Sequence, residues 1–163
     1  MVEMREMRSS DWSRVAEVYR EGIATKMATF ETEVPSWSQW DKNHIDSCRF
    51  VAIEGDQILG WAALSEVSSR CVYGGVAEVS VYVANKSRGQ GIGEKLLGQL
   101  IAESEKQSYW TLQSGIFPEN YVSIQLHEKL GFRRIGYREK IAELAGVWKD
   151  NILMEKRSKN VGI

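Results

Sequence analysis

The chain has 163 residues, 43% hydrophobic and 26% charged, the size and balance of one globular domain that can bury a single core. A formal net charge of -1 leaves no footprint for nucleic acid, and no apolar run approaches the roughly 20 residues of a membrane helix. The opening MVEMREMRSSDW lacks a hydrophobic signal core and the two cysteines, Cys48 and Cys71, have no Cys-x-x-Cys partner, so the expected protein is cytoplasmic, with ordinary thiols and no metal site.

Val2 to Met7 alternate weakly and predict a first strand. Ser10 and Asp11 supply a cap and an acidic first turn. Trp12, Val15, Ala16, Tyr19 and Ile23 then recur at helical spacing, which predicts a helix from Asp11 to about Thr25. Ala28 to Glu33 is a polar connection with one aromatic, Phe30, which reads equally as a site residue or as a side chain folded back on the core. Pro35 and Ser36 start a second helix, carrying Trp37 and Trp40 and ending near Cys48. Phe50 to Ile53 and Ile58 to Leu64 flank Glu54-Gly55-Asp56-Gln57 as a hairpin, and Ser65 to Gly75, with Arg70 and Tyr73, is a loop.

The stretch from Val76 to Gly93 carries the most chemistry. Alternation puts Ala77, Val79, Val81 and Val83 on one strand face and Glu78, Ser80 and Tyr82 on the other. The second face is either solvated or the wall of a cleft. Arg88-Gly89-Gln90-Gly91-Ile92-Gly93 follows and leads into an amphipathic helix. Glycines let backbone N–H groups converge on one point, the helix adds its positive end, and Arg88 adds a bidentate donor, so a diphosphate is the natural guest. Lys95 follows Glu94 and precedes Leu96, which excludes a P-loop; from Gly89 and Gly91 the sixth positions are Glu94 and Leu96, which excludes the dinucleotide-binding spacing.

Ile92, Leu96, Leu97, Leu100 and Ile101 form the stripe of a helix reaching about Lys106. Trp110 to Phe117 predicts a strand, broken by Pro118-Glu119-Asn120. Ser123, Leu126, His127 and Leu130 define a short helix closed by Gly131. Phe132 to Tyr137 and Trp148 to Met154 are strand candidates around a mobile-looking segment, Arg138 to Val147, and Lys156 to Ile163 reads as a frayed tail. The order predicts a single α/β domain over 1–163, a mixed central sheet with helices on both faces.

Arg88-x-x-Gly91-x-Gly93 behind a strand, then Asn120, then His127-Glu128-x-x-Gly131-Phe132, resembles the GCN5-related N-acetyltransferases along essentially the whole chain. Ala28 to Glu33, Arg70-x-x-Tyr73, Ala77 to Val83 and Trp148-x-Asp150 are similar to the subgroup that acetylates phosphinothricin and methionine sulfoximine or sulfone. The resemblance implies acetyl-CoA as cosubstrate, acetyl transfer to the α-amino group of a small amino acid or analogue, and a homodimer with no nucleic-acid or membrane partner. It places the diphosphate on Arg88, Gly89, Gln90, Gly91, Ile92 and Gly93, and the pantetheine arm along the main chain of Val81, Tyr82 and Val83, with Asn120 beside it. Glu78 is then the expected general base and His127 the expected acid, while Phe30, Arg70 and Tyr73 hold the acceptor and Trp148 and Asp150 shape the fold or the rim.

Each assignment has a plainer counterpart. Arg88 is otherwise a solvated loop arginine, Asn120 a helix cap, Glu78 a salt-bridged strand carboxylate and His127 a half-buried core histidine. Acetylation of a polyamine or a protein N-terminus, and a non-catalytic CoA sensor, are the competing functions.

Overall fold

The computed structural model describes residues 1–163. Seven strands form one sheet in the order β1-β2-β3-β4-β5-β7-β6: β1 (Glu3–Glu6), β2 (Arg49–Glu54), β3 (Gln57–Glu66), β4 (Val76–Val83), β5 (Thr111–Ile116), β6 (Arg133–Leu144) and β7 (Val147–Arg157). Four helices accompany them: α1 (Trp12–Ala24), α2 (Trp37–Asn43), α3 (Ile92–Lys106) and α4 (Tyr121–Lys129). This is the mixed α/β sheet expected from the sequence. Every strand pairing is antiparallel except β4 with β5, the two strands joined by the α3 crossover.

The strand alternation decides which helix packs where. Ala77 and Val79 of β4 join Leu96, Leu97 and Leu100 of α3 in one core, with Ile124 of α4 and Ile152 and Met154 of β7. On the opposite face Val15, Val18 and Tyr19 of α1 and Trp40 of α2 pack on Val51, Trp61 and Ala63. Both helix layers therefore bury apolar stripes against the same sheet, and β4 has helices above and below.

The β4–β5 pairing is short. Only Val76, Ala77 and Glu78 pair, with Thr111, Leu112 and Gln113; beyond Glu78 the two strands part, while β4 stays zipped to β3 as far as Val83 against Gly60. The edge of Ser80 to Val83 that faces β5 is left without a strand partner, and a sheet edge of that kind invites an extended ligand.

Three expectations are corrected. Helix α2 stops at Asn43 rather than near Cys48 because buried Arg49 reaches back to the carbonyls of Asp41, His44 and Ile45, at 2.8, 2.8 and 3.1 Å, and ends the helix there. Arg138 to Val147 is ordered hairpin, not a mobile segment: β6 and β7 run on to a turn at Ala145 and Gly146. The tail beyond β7 is tied down, not frayed. Ser158 N–H donates to the Trp110 carbonyl at 2.8 Å, and Ser158 Oγ and Asn160 Nδ2 donate to Glu105 at 2.8 and 3.0 Å.

Candidate active site

A cleft of about 1360 Å³ opens where β4 and β5 separate. A pocket for one small ligand holds roughly 300–1,000 Å³. The space suits two reactants.

One wall is the glycine loop and the start of α3. Gly89 and Gly91 have φ of 76° and 77°, the left-handed region in which a side chain would be strained. Both line the cleft. No amide from Gly89 to Glu94 finds an acceptor within the protein; Lys95 N–H, to the Gly91 carbonyl at 3.2 Å, is the first that does. A row of free N–H groups at a helix start is an anion site. Arg88 lines the cleft, exposed and without a carboxylate partner. Gln90, expected to help hold the diphosphate, does not line the cleft, and its side chain donates to the Lys86 carbonyl at 3.4 Å.

The floor is β4 itself. Val81, Tyr82 and Val83 line the cleft along the unpaired edge. Glu78 sits at the point of divergence, exposed, accepting a hydrogen bond from Gln113 Nε2 at 3.2 Å. Tyr82 stacks on Trp61, with centroids 4.9 Å apart, and meets Tyr19 at 4.8 Å; burial pushes both phenols up, so they stay neutral donors. Gly22 of α1 makes room for that ring, since a Cβ there would lie 2.6 Å from Tyr82 Cδ1.

The α4 wall holds Asn120 and His127. Asn120 caps the helix, its Oδ1 accepting from Ser123 N–H at 3.3 Å, and its Nδ2 donates to the Met27 carbonyl at 3.1 Å. It thereby ties α4 to the loop after α1. His127 is buried, and its Nδ1 lies 2.7 Å from the Ser123 carbonyl, an acceptor only, so Nδ1 carries the proton. Nε2 is left as a buried lone pair with no partner. Burial pushes the His127 pKa down, outweighing the Ser123 carbonyl, so the ring is neutral near pH 7.

Phe30 packs edge-on against Phe117 at 4.8 Å, and both line the cleft. Arg70 and Tyr73 do not. Arg70 instead stacks over Tyr73, 5.5 Å from the ring centroid, on the exposed loop between β3 and β4. Trp148 is exposed, and Asp150 accepts from the Tyr137 hydroxyl and from Lys140 N–H, bracing the β6–β7 hairpin.

Sequence reasoning passed over two parts of this lining. Trp40 of α2 and His44, just past the end of that helix, reach the cleft as a stacked pair 4.0 Å apart, the His44 Nδ1–H fixed on the Trp40 carbonyl at 2.7 Å. Their i, i+4 spacing was the available signal, but it also describes an ordinary core pair. The hairpin gives a whole wall, including Arg138, Ile141 and Asn151. No group of three or more His, Cys, Asp or Glu side chains is placed to hold a metal ion.

A family model described as "Acetyltransferase (GNAT) family" matches residues 3–132. The chain belongs to the GNAT acetyltransferases. This acetyltransferase is 30% identical over 141 residues to the putative phosphinothricin acetyltransferase YwnH of Bacillus subtilis, covering 83% of this chain and 86% of that one. It is 32% identical over 99 residues to the L-methionine sulfoximine/L-methionine sulfone acetyltransferase of Pseudomonas aeruginosa, covering 61% of this chain and 58% of that one. Among solved structures, the ribosomal-protein-alanine N-acetyltransferase of Brucella melitensis superposes with a TM-score of 0.87 at 27% identity, covering 96% of this chain and 99% of that one. The phosphinothricin acetyltransferase of Sinorhizobium meliloti, solved with acetyl-CoA, shares the fold with a TM-score of 0.84 at 24% identity, covering 99% and 95%. The GNAT enzyme described here is thus grouped with relatives named for phosphinothricin and methionine sulfoximine.

Proposed function

We propose that this acetyltransferase moves the acetyl group of acetyl-CoA to the α-amino group of a small amino acid or analogue, of the phosphinothricin or methionine sulfoximine type. The observation that carries the reading is the continuity of the cleft, from the free amides of Gly89 to Gly93 to the carboxylate of Glu78. A cofactor with a diphosphate at one end and a thioester at the other spans such a path.

The residues fit that cofactor. The loop amides and Arg88 would hold the diphosphate, and the open edge of Val81 to Val83 would pair with the amide-bearing arm as an added strand. Bound acetyl-CoA supplies the activated acyl group. Glu78 then accepts the proton of the acceptor's ammonium, directly or through water, and Gln113 holds that carboxylate in place. Phe30 walls the acceptor. His127 donates its one ring proton to Ser123, so it can act as an acid only after Nε2 gains a proton, which its burial opposes. A thiol with a pKa near ~8.5 is a tolerable leaving group without strong acid help, and holding the two reactants together supplies much of the rate.

The reading includes a homodimer. Tyr137, Ile141, Val147 and Trp148 stand exposed on the hairpin and give it an apolar surface. It also includes a cytoplasmic enzyme that acts in detoxification.

Thiol release from acetyl-CoA with an amino-acid panel containing phosphinothricin and methionine sulfoximine tests the function. The expected result is release with at least one of them, reduced about 10²–10⁴-fold in Glu78→Gln. No release across the panel sinks it. Release with an alanine-starting peptide alone would favour the second reading, motivated by the Brucella structure's name.

A further inference from the structure

Resting on the amino-acid reading above, we propose that Arg138 is a specificity residue that grips an anionic head at the end of the acceptor remote from its amine. The acceptor class this selects is an amino acid whose side chain ends in an anion.

Among the residues that line the cleft only Arg88 and Arg138 are permanent cations. Arg88 stands at the glycine loop, beside free amides already suited to a diphosphate. Arg138 is what remains for a second anion. Its neighbours are engaged: Arg133 pairs with Glu155 at 2.8 Å and Arg134 with Glu128 at 2.7 Å. Arg138 has no carboxylate within ion-pair distance and donates no side-chain hydrogen bond.

The strand register aims it. Arg138 lies directly opposite Asn151 on β7, so the two side chains share a sheet face. Asn151 is 9% exposed and also lines the cleft. Immediately after Arg138 the β6–β7 register breaks until Ala142. That bulge is pinned: Asp150 accepts from the Tyr137 hydroxyl and from Lys140 N–H, and Lys140 takes a φ of 44°. Bulges beside active sites re-aim side chains, and this one is braced from both flanks.

The same register sets the distance to the reacting amine. Glu78 is level with Gln113 and Glu155, and Arg138 is level with Asn151, four residues along β7 and three strands across from Glu78. At about 4.8 Å per strand and about 3.3 Å per residue, the Glu78 and Arg138 Cα atoms lie roughly 20 Å apart. Several ångströms remain between the charges after both side chains reach inward. An α-carboxylate, one carbon from the amine, is too close to Glu78 to meet Arg138. A side-chain phosphinate or carboxylate, several bonds away, spans the gap. Arg70 and Tyr73, outside the lining, do not compete for it.

The test uses two acceptors with the same α-carboxylate, phosphinothricin with a distal anion and L-methionine without one. Binding to CoA-loaded protein is measured by calorimetry and acetylation by thiol release, for wild type, Arg138→Gln, Arg138→Lys and Arg70→Gln. Arg138→Gln is expected to weaken phosphinothricin binding and raise its KM about ten-fold or more, as loss of a charge-assisted contact does. Methionine and acetyl-CoA should stay within about two-fold, Arg138→Lys should recover part of the loss, and Arg70→Gln should not reproduce it. Equal losses for both acceptors, or none in Arg138→Gln, overturn the inference while leaving the acetyltransferase reading intact. Wild-type protein that neither binds nor acetylates phosphinothricin overturns the inference, and failure with the whole panel overturns both.

Discussion

Replacing Gly22 by alanine sets two effects of similar size against each other, and the structure decides which wins. In an open helical position the change stabilises by up to about 1 kcal/mol, because glycine loses more backbone entropy on folding. Gly98 of α3 is such a position, with nothing within 4 Å of a built Cβ. At Gly22 the Cβ would meet Tyr82 Cδ1 at 2.6 Å and Cε1 at 2.8 Å, about 1 Å inside the usual ~3.5 Å carbon contact. The ring cannot step aside, being held against Trp61 at 4.9 Å and Tyr19 at 4.8 Å. Overpacking of this kind costs about 1–3 kcal/mol, and the hemmed ring argues for the upper end. The net expectation is a loss of about 2 kcal/mol for Gly22→Ala and a gain of up to about 1 kcal/mol for Gly98→Ala. At roughly 2–4 °C per kcal/mol for a domain of this size, thermal melts should place Gly22→Ala about 4–8 °C below wild type and Gly98→Ala a few degrees above. A Gly22→Ala melt that rises with Gly98→Ala would refute the reasoning, since the ring would then have yielded without cost.

Acid should destabilise the fold in a window set by two histidines. Burial lowers the pKa of both His44 and His127 below the ordinary 6.5, so the unfolded chain binds protons first and stability falls as pH drops through about 6.5, with a slope of up to about 1.4 kcal/mol per pH unit for each. Melts at pH 8, 6.5 and 5.5 should show this, and His127→Gln should shallow the fall; a melting temperature flat from pH 8 to 5.5 would remove the argument. The proposed dimer predicts a scattering mass of about twice the 18.5 kDa chain, reduced toward 18.5 kDa by Trp148→Glu. A wild-type mass of one chain at tens of micromolar would discard it.

The parts legible in the sequence are those fixed by local rules. Strand β4 has the bounds Val76 and Val83 that its alternation gives, and α3 runs from Ile92 to Lys106 as its stripe and leading glycines require. What was illegible came from contacts distant in sequence or from exposure. The end of α2 is set by Arg49, reaching back across the turn to take the helix's last carbonyls. The hairpin hid because most of β6 is exposed, so Ile135, Tyr137 and Ile141 show no buried face to alternate with. Loop geometry separates the three residues expected to hold an acceptor: Phe30 folds inward onto Phe117, whereas Arg70 and Tyr73 pair with each other outside the cleft. A list of residue types cannot distinguish those outcomes.

The parting of β4 from β5 after three paired residues also bears on how freely such a protein can diverge. An exposed strand edge and a row of free amides recognise a guest through peptide groups, which every amino acid carries. Side chains along that seam can drift so long as the backbone path holds. Where recognition depends on side chains, each replacement changes what is accepted. The chain shares 27% of its residues with the Brucella melitensis structure and still superposes on it at a TM-score of 0.87, so the backbone path holds while most side chains differ.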